Sequence, residues 1–256
     1  MFCRVAISTV VLSVLSLNIF AENRIDTQRP DAPELAAYGK YAIGVKTLEI
    51  IHSQQIDVAN IDPTKPTNLP MYDRPLTLEV WYPSAANSKG KNTLDVYLRD
   101  GKTSVALIGR AVRDAKPLKT SNQFPLVLVS HGYPGNRFLM SHLAENIASK
   151  GYVVVSIDHT DSTYRTQAAF GSTLLNRPLD QLFTLDQIEA MSNDPTSFLH
   201  QMVDVNNSAL IGYSMGGYGA VIMAGAGITD SAVNFPRGVP HQILNMHKNG
   251  SKTQQQ

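Results

Sequence analysis

Hydrophobic patterning divides the chain into a mixed first half and a strongly layered second half. Two runs are apolar along their whole length, FPLVLVS at Phe124–Ser130 and YVVVSID at Tyr152–Asp158. Between them FLMSHLAENIASKG places Leu139, Leu143 and Ile147 at helical spacing, with Gly151 as the stop. A strand apolar on both faces must be covered on both faces, so this strand, helix, strand series predicts a parallel βαβ unit inside a sheet. Upstream, IGVKTLEII at Ile43–Ile51 partly alternates, and RPLTLEVWYP alternates Leu76, Leu78 and Val80 against Thr77, Glu79 and Trp81. These predict two antiparallel strands at a sheet edge, joined by the polar loop Asp57–Tyr72. The stretch Ser84–Asn122 reads as loop, with one short helix over LIGRAVRDA. A second helix is expected from Pro178 to Met191 with proline at its first position, then a strand at Ala209–Gly212 and a helix ending near Gly225 or Gly227. The fold class is α/β, a mostly parallel central sheet flanked by helices.

The chain's two ends change this picture. Arg4 precedes the uncharged apolar run Val5–Phe20, shorter than the ~20 residues of a spanning helix, and Ala21 offers a cleavage point before ENRID. Residues 1–21 therefore read as a secretory signal peptide, which makes the product secreted or periplasmic, with no membrane span after cleavage. The sole cysteine, Cys3, leaves with that signal, so the remaining chain has no disulfide framework and no thiolate nucleophile. Residues 22–40, with Pro30 and Pro33, read as a loose lead-in, 41–230 as the core and 231–256 as an irregular tail. Lys and Arg total 22 against 21 Asp and Glu, a net charge of +1, which gives no electrostatic case for a nucleic-acid partner. A neutral substrate is the expectation.

Chemistry concentrates in two short stretches. GYSMGGYGA, Gly212–Ala220, puts Ser214 at the carboxyl end of a strand and the start of a helix, the edge of an open α/β sheet where ligands bind. The G-x-S-x-G elbow presents a serine clear of the backbone, and the N–H of Met215 points where an oxyanion would develop. Gly212 and Gly216 remove side chains from the turn, and Gly217 and Gly219 let the following helix pack closely on the sheet. SHGYPGNR follows the Phe124–Ser130 strand and lies at the same edge, where Gly132 allows a tight turn and the Tyr133 N–H is the second oxyanion donor. His131 is read as a loop tie rather than a base. Asp158, His159 and Asp161 stand at that edge too, but adjacent residues of an extended segment point apart, and no metal or cofactor is called for.

HGYPGNR, HLAENIASKGYVVVSIDHTDSTY and GYSMGGYGA together resemble the α/β-hydrolase superfamily, in the branch of platelet-activating-factor acetylhydrolases and dienelactone hydrolases, which also includes secreted polyester hydrolases. The resemblance runs from about Tyr41 to Ile228. It implies a serine esterase with Ser214 as nucleophile and Tyr133 and Met215 as oxyanion donors, and an ester of small-molecule or lipid type as substrate. Dienelactone hydrolases use cysteine as nucleophile, so the serine favours the acetylhydrolase and esterase side. The superfamily order is Ser, then Asp or Glu, then His. Only 42 residues of the 256 follow Ser214, and a further βα unit takes about 30. The resemblance therefore implies that the last strands are missing, with the triad acid and histidine beyond Gln256. Asp230 follows a helix that carries the chain about 16 Å from the serine edge, and His241 and His247 come without a returning strand. The alternative is a truncated, catalytically incomplete copy or a non-enzymatic binding module.

Overall fold

The computed structural model describes residues 22–62, 64–65, 68–167 and 170–226. The signal stretch 1–21, Asp230, His241, His247 and the tail 231–256 lie outside the described residues. Eight strands are described: β1 Ala42–Ile56, β2 Met71–Ser84, β3 Thr93–Tyr97, β4 Ser104–Ile108, β5 Val112–Arg113, β6 Phe124–Ser130, β7 Val153–Asp158 and β8 Val203–Gly212. Three α-helices accompany them, α1 Ser141–Ser149, α2 Phe170–Asn193 and α3 Met215–Met223. The main sheet runs β5-β1-β2-β7-β6-β8, and β3 with β4 forms a separate hairpin. β1 pairs antiparallel with β2, and β2 antiparallel with β7, while β7, β6 and β8 are parallel to one another.

The period-two pattern explains how two cores form on one sheet. Leu76, Leu78, Val80, Leu126, Leu128, Val153 and Val155 face α2, where Ile188 closes the layer. Trp81, Val127, Val129 and Val154 face the other way, against Ala144 and Ala148 of α1. Order along the chain is β6, α1, β7, α2, β8, so the chain steps from β6 to one neighbour and then returns to the other side of β6. The carboxyl ends of β6 and β8 therefore flank a topological switch point, the place where open α/β sheets hold ligands.

Four expectations are corrected. No helix forms over LIGRAVRDA: Arg110 and Ala111 donate their backbone N–H groups to the buried Glu145 carboxylate of α1, at 2.7 and 3.0 Å. Those donors are lost to a helix, and Ser104–Ile108 pairs with β3 instead. Helix α2 begins eight residues before Pro178, which lies inside it. The β1–β2 pair is not the edge over its full length, because Val112 and Arg113 of β5 add on beside Gly44 and Val45 of β1. The lead-in is also docked: Ile25 donates to Ile108 at 2.9 Å, and Asn146 of α1 donates to the Ala36 carbonyl at 2.8 Å.

Candidate active site

Register places the two motif loops side by side. In the β6–β8 pairing Ser130 stands opposite Gly212, so the segments that begin at His131 and Tyr213 leave the sheet together. The Tyr213 N–H donates to the Ser130 carbonyl at 3.0 Å and ties one loop to the other. Ser214 follows with φ 52° and ψ −117°, a left-handed backbone that a non-glycine residue adopts only under the constraint of its surroundings. That twist lifts an exposed serine to the N-terminus of α3, whose first residue is Met215. The constraint is steric: a Cβ on Gly216 would stand 2.0 Å from the Ser130 carbonyl oxygen, so only glycine lets the elbow close onto β6. The opposite loop is also close, since a Cβ built on Gly132 would lie 3.1 Å from the Ser214 Cβ. Ser214, Met215 and the Gly132–Tyr133 peptide are thus brought together. The Tyr133 ring packs edge-on against Phe170, with centroids 5.2 Å apart.

Gly219 works differently from expectation. It does not meet the sheet but α2: a Cβ there would lie 2.6 Å from Arg177 Cγ. Helix α2 brings polar side chains beneath both loops, and they form a buried network. Ser130 Oγ lies 2.8 Å from His159 Nε2, and His159 Nδ1 lies 2.8 Å from Asp180 Oδ2. The connectivity is that of a serine, histidine, aspartate relay, but Ser130, His159 and Asp180 are all sealed from solvent. Asp180 is held in turn by Nε and Nη2 of Arg74, at 2.7 and 2.8 Å, and Arg74 Nη2 also donates to Asp161 at 3.0 Å. His131 closes the set, its Nδ1 lying 2.6 Å from the Gly132 carbonyl while its Nε2 accepts the His159 backbone N–H at 3.3 Å.

Electrostatics fix the protonation states. Burial pushes His131 well below the ordinary histidine value, with His159 and Arg177 adding to the effect. Burial likewise depresses His159, helped by Arg177 and Arg74. Both imidazoles are neutral, with Nδ1 as donor: His131 to Gly132, His159 to Asp180. Each ring nitrogen is then committed, and His131 is a loop tie. Burial raises Asp158, against the Arg137 guanidinium that pairs with it. Asp158 lines a cleft of about 470 Å³ with Thr77, Tyr97, Arg137 and Arg165, which Ser214 does not line. Asp158 and Asp161 are therefore structural partners of arginines and do not join Ser214. Among the described residues the Ser214 hydroxyl has no hydrogen-bond partner, and no group of three metal-ligating side chains is found.

The chain's patterning holds clues to the residues that motif reading passes over. Arg74 is in phase with Leu76, Leu78 and Val80, the inward face of β2. Arg177, Asp180, Gln181 and Thr184 recur at helical spacing and are all buried. Polar residues on a core-facing stripe are a signal of a network, though not of which partners complete it.

Comparison with known proteins agrees with this geometry. A family model described as PET hydrolase-like matches residues 111–235. Cutinase 2 of Thermobifida cellulosilytica is 33% identical over 106 residues, 41% of this chain and 36% of that protein. Platelet-activating factor acetylhydrolase of Cavia porcellus is 28% identical over 147 residues, 54% of this chain and 32% of that protein. The chain thus spans about a third of the length of these curated relatives. A ferulic acid esterase from Streptomyces cinnamoneus has a similar structure, with a TM-score of 0.52 at 24% identity over 80% of this chain and 58% of the other. A switch-point serine on a strand-to-helix elbow defines an α/β-hydrolase fold. The chain has the α/β-hydrolase fold, and its matches are to a PET hydrolase-like family model, to cutinases and to a platelet-activating factor acetylhydrolase. Among the described residues no helix is long and apolar enough to cross a membrane.

Proposed function

We propose that the protein is a secreted serine hydrolase of carboxylic esters. The carrying observation is Ser214 held at φ 52° against the Gly132 loop. Ser214 Oγ attacks the ester carbonyl carbon as its proton passes to a histidine base. The carbonyl oxygen, now an anion, takes the N–H groups of Tyr133 and Met215. Collapse expels the alcohol, which carries away the proton, and water releases the acid from the acyl-enzyme by the same steps. His131 and His159 are committed to Gly132, Asp180 and Ser130, so the base is a different histidine, which the superfamily order of serine, acid, histidine puts after Ser214 in the chain. The substrate is a neutral ester of small-molecule, lipid or polyester type, as the relatives' names suggest. The signal-like residues 1–21 support export.

The test is turnover of p-nitrophenyl acetate and covalent labelling by a fluorophosphonate, each with Ser214→Ala alongside. Turnover and labelling that vanish in Ser214→Ala support the reading, and turnover that survives the change overturns it. His241→Ala and His247→Ala then test whether either histidine that follows Ser214 in this sequence is the base. A second reading, an incomplete copy or binding module, draws on the unpartnered Ser214 hydroxyl among the described residues. It is supported if the chain binds esters but neither labels nor turns over.

A further inference from the structure

Helix α2 reaches both halves of the candidate oxyanion hole from below. Arg177 Nη1 donates to the His131 carbonyl at 2.9 Å, and Nη2 donates to the Gly132 carbonyl at 3.3 Å and to Ser162 Oγ at 2.7 Å. One turn on, Gln181 Nε2 donates to the Gly216 carbonyl at 3.0 Å and to Ser130 Oγ at 2.9 Å. One side chain thus holds the loop after β6, and its neighbour holds the elbow after β8.

The Arg177 contacts fall on the atoms that decide where the Tyr133 N–H points. The Gly132 carbonyl and the Tyr133 N–H belong to one planar trans peptide, in which C=O and N–H point in opposite directions. Whatever holds the carbonyl therefore aims the N–H. Two donors hold it, Arg177 Nη2 and His131 Nδ1. The preceding carbonyl, that of His131, is held by the same guanidinium. Two successive peptide oxygens drawn toward α2 leave the opposite face of the loop to its N–H groups, and that face meets Ser214. The arrangement also polarises: a hydrogen bond from a cation to one end of a peptide strengthens donation at the other end.

We infer that Arg177 is a positioning residue of the oxyanion hole, fixing and polarising the Gly132–Tyr133 peptide so that the Tyr133 N–H stabilises the anionic oxygen that forms as Ser214 attacks. The inference rests on the esterase reading above. Arg177 is 1% exposed, so it holds a full charge where water does not screen it. Burial lowers its guanidinium to about 10, which still leaves it cationic at neutral pH. Room for the stem comes from Gly219, whose missing Cβ would collide with Arg177 Cγ at 2.6 Å. Sequence supplies the glycine on one helix and the arginine on the other.

The experiment compares Arg177→Gln and Arg177→Lys with the full chain, using p-nitrophenyl acetate and a trifluoromethyl ketone whose hemiketal oxygen on Ser214 occupies the hole. Expected is a fall in kcat of about 10- to 100-fold with KM within about twofold, and a parallel loss of ketone affinity. A merely structural arginine would lower the melting temperature and leave the folded enzyme's kcat and ketone affinity alone, which would overturn the inference. If neither variant melts cooperatively, the second hold on the same carbonyl decides. His131→Leu should then lose kcat, and His131→Asn, which still donates near the Nδ1 position, should lose less. Equal kcat in those two overturns the inference. Where turnover is below detection, selective 15N-tyrosine labelling reads the Tyr133 amide directly: its resonance moves in Arg177→Gln, and a stationary resonance sinks the idea. Turnover that survives Ser214→Ala refutes the esterase reading itself, whereas Ser214-dependent turnover unchanged by Arg177→Gln refutes the positioning role alone.

Discussion

The Tyr218 hydroxyl donates to the Leu174 carbonyl at 3.1 Å, joining α3 to α2. Leu174 is four residues before Pro178, and proline has no N–H to return to that carbonyl. Tyr218 supplies the missing donor, which is how α2 carries a proline in its interior. Burial raises the Tyr218 hydroxyl to about 12, so it remains a donor through the neutral range.

Tyr218→Phe should therefore leave an orphaned carbonyl and cost about 1–2 kcal/mol in urea unfolding. The same change in a Pro178→Ala background should cost less, because an alanine there restores the helix's own N–H. Equal costs in both backgrounds would show that Tyr218 acts by packing alone.

Gly216→Ala should disable the site. A Cβ at Gly216 would meet the Ser130 carbonyl oxygen at 2.0 Å, and a backbone atom of a central strand has no side-chain freedom with which to yield. Either the elbow moves away from β6 or the strand pair opens. Fluorophosphonate labelling of Ser214 should fall by more than about tenfold, with a lowered melting temperature. Normal labelling would mean that Ser214 reacts from some other elbow geometry.

The strands that carry both motifs are legible in the sequence because they are buried on two faces, so Val127 and Val129 on one side and Leu126 and Leu128 on the other produce an unbroken apolar run. The elbow is legible because its steric demands leave glycines as a trace. What escapes is set by long-range partners. Glu145 takes the amides of Arg110 and Ala111 from 35 and 34 residues away, turning an expected helix into irregular chain. Pro178 reads as a helix start because Tyr218, 44 residues from Leu174, is what makes an internal proline tolerable. Arg74 and Asp180 are separated by 106 residues, and no local pattern pairs them.

The neutral buried histidines predict acid sensitivity. His131 and His159 are depressed well below the unfolded value of about 6.5, so below that pH the unfolded chain binds protons that the folded chain refuses. Their contribution to stability is full above about pH 6.5 and declines as pH falls toward their folded values, by up to ~1.4 kcal/mol per pH unit for each group. Urea midpoints between about pH 7.5 and 5 should fall accordingly, with proton uptake on unfolding. His131→Asn should reduce that uptake by about one proton. An uptake unchanged by the substitution would mean that carboxylates, not His131, produce the slope.

The last prediction concerns Arg74, which is 1% exposed and faces an Asp180 with no exposure at all. Burial alone would lower the Arg74 guanidinium, but Asp180 and Asp161 more than offset it and hold it well above its ordinary value. Arg74→Met leaves Asp180 with His159 as its remaining charged or polar side-chain contact in the network, and removing one partner of a buried pair costs about 3–5 kcal/mol. Asp180→Asn alone should also destabilise, since it leaves the guanidinium with Asp161 as its one remaining carboxylate partner in the network. The double change Arg74→Met with Asp180→Asn should cost clearly less than the sum, because neither charge is then stranded. A proton signature should accompany this. Arg74 is one of the charges that depress His159, so Arg74→Met should raise the His159 pKa and reduce the fall in stability below about pH 6.5, visible by NMR titration of the imidazole. Strict additivity in the cycle, with a stationary His159 titration, would show that Arg74 fills space rather than anchoring the relay beneath Ser130.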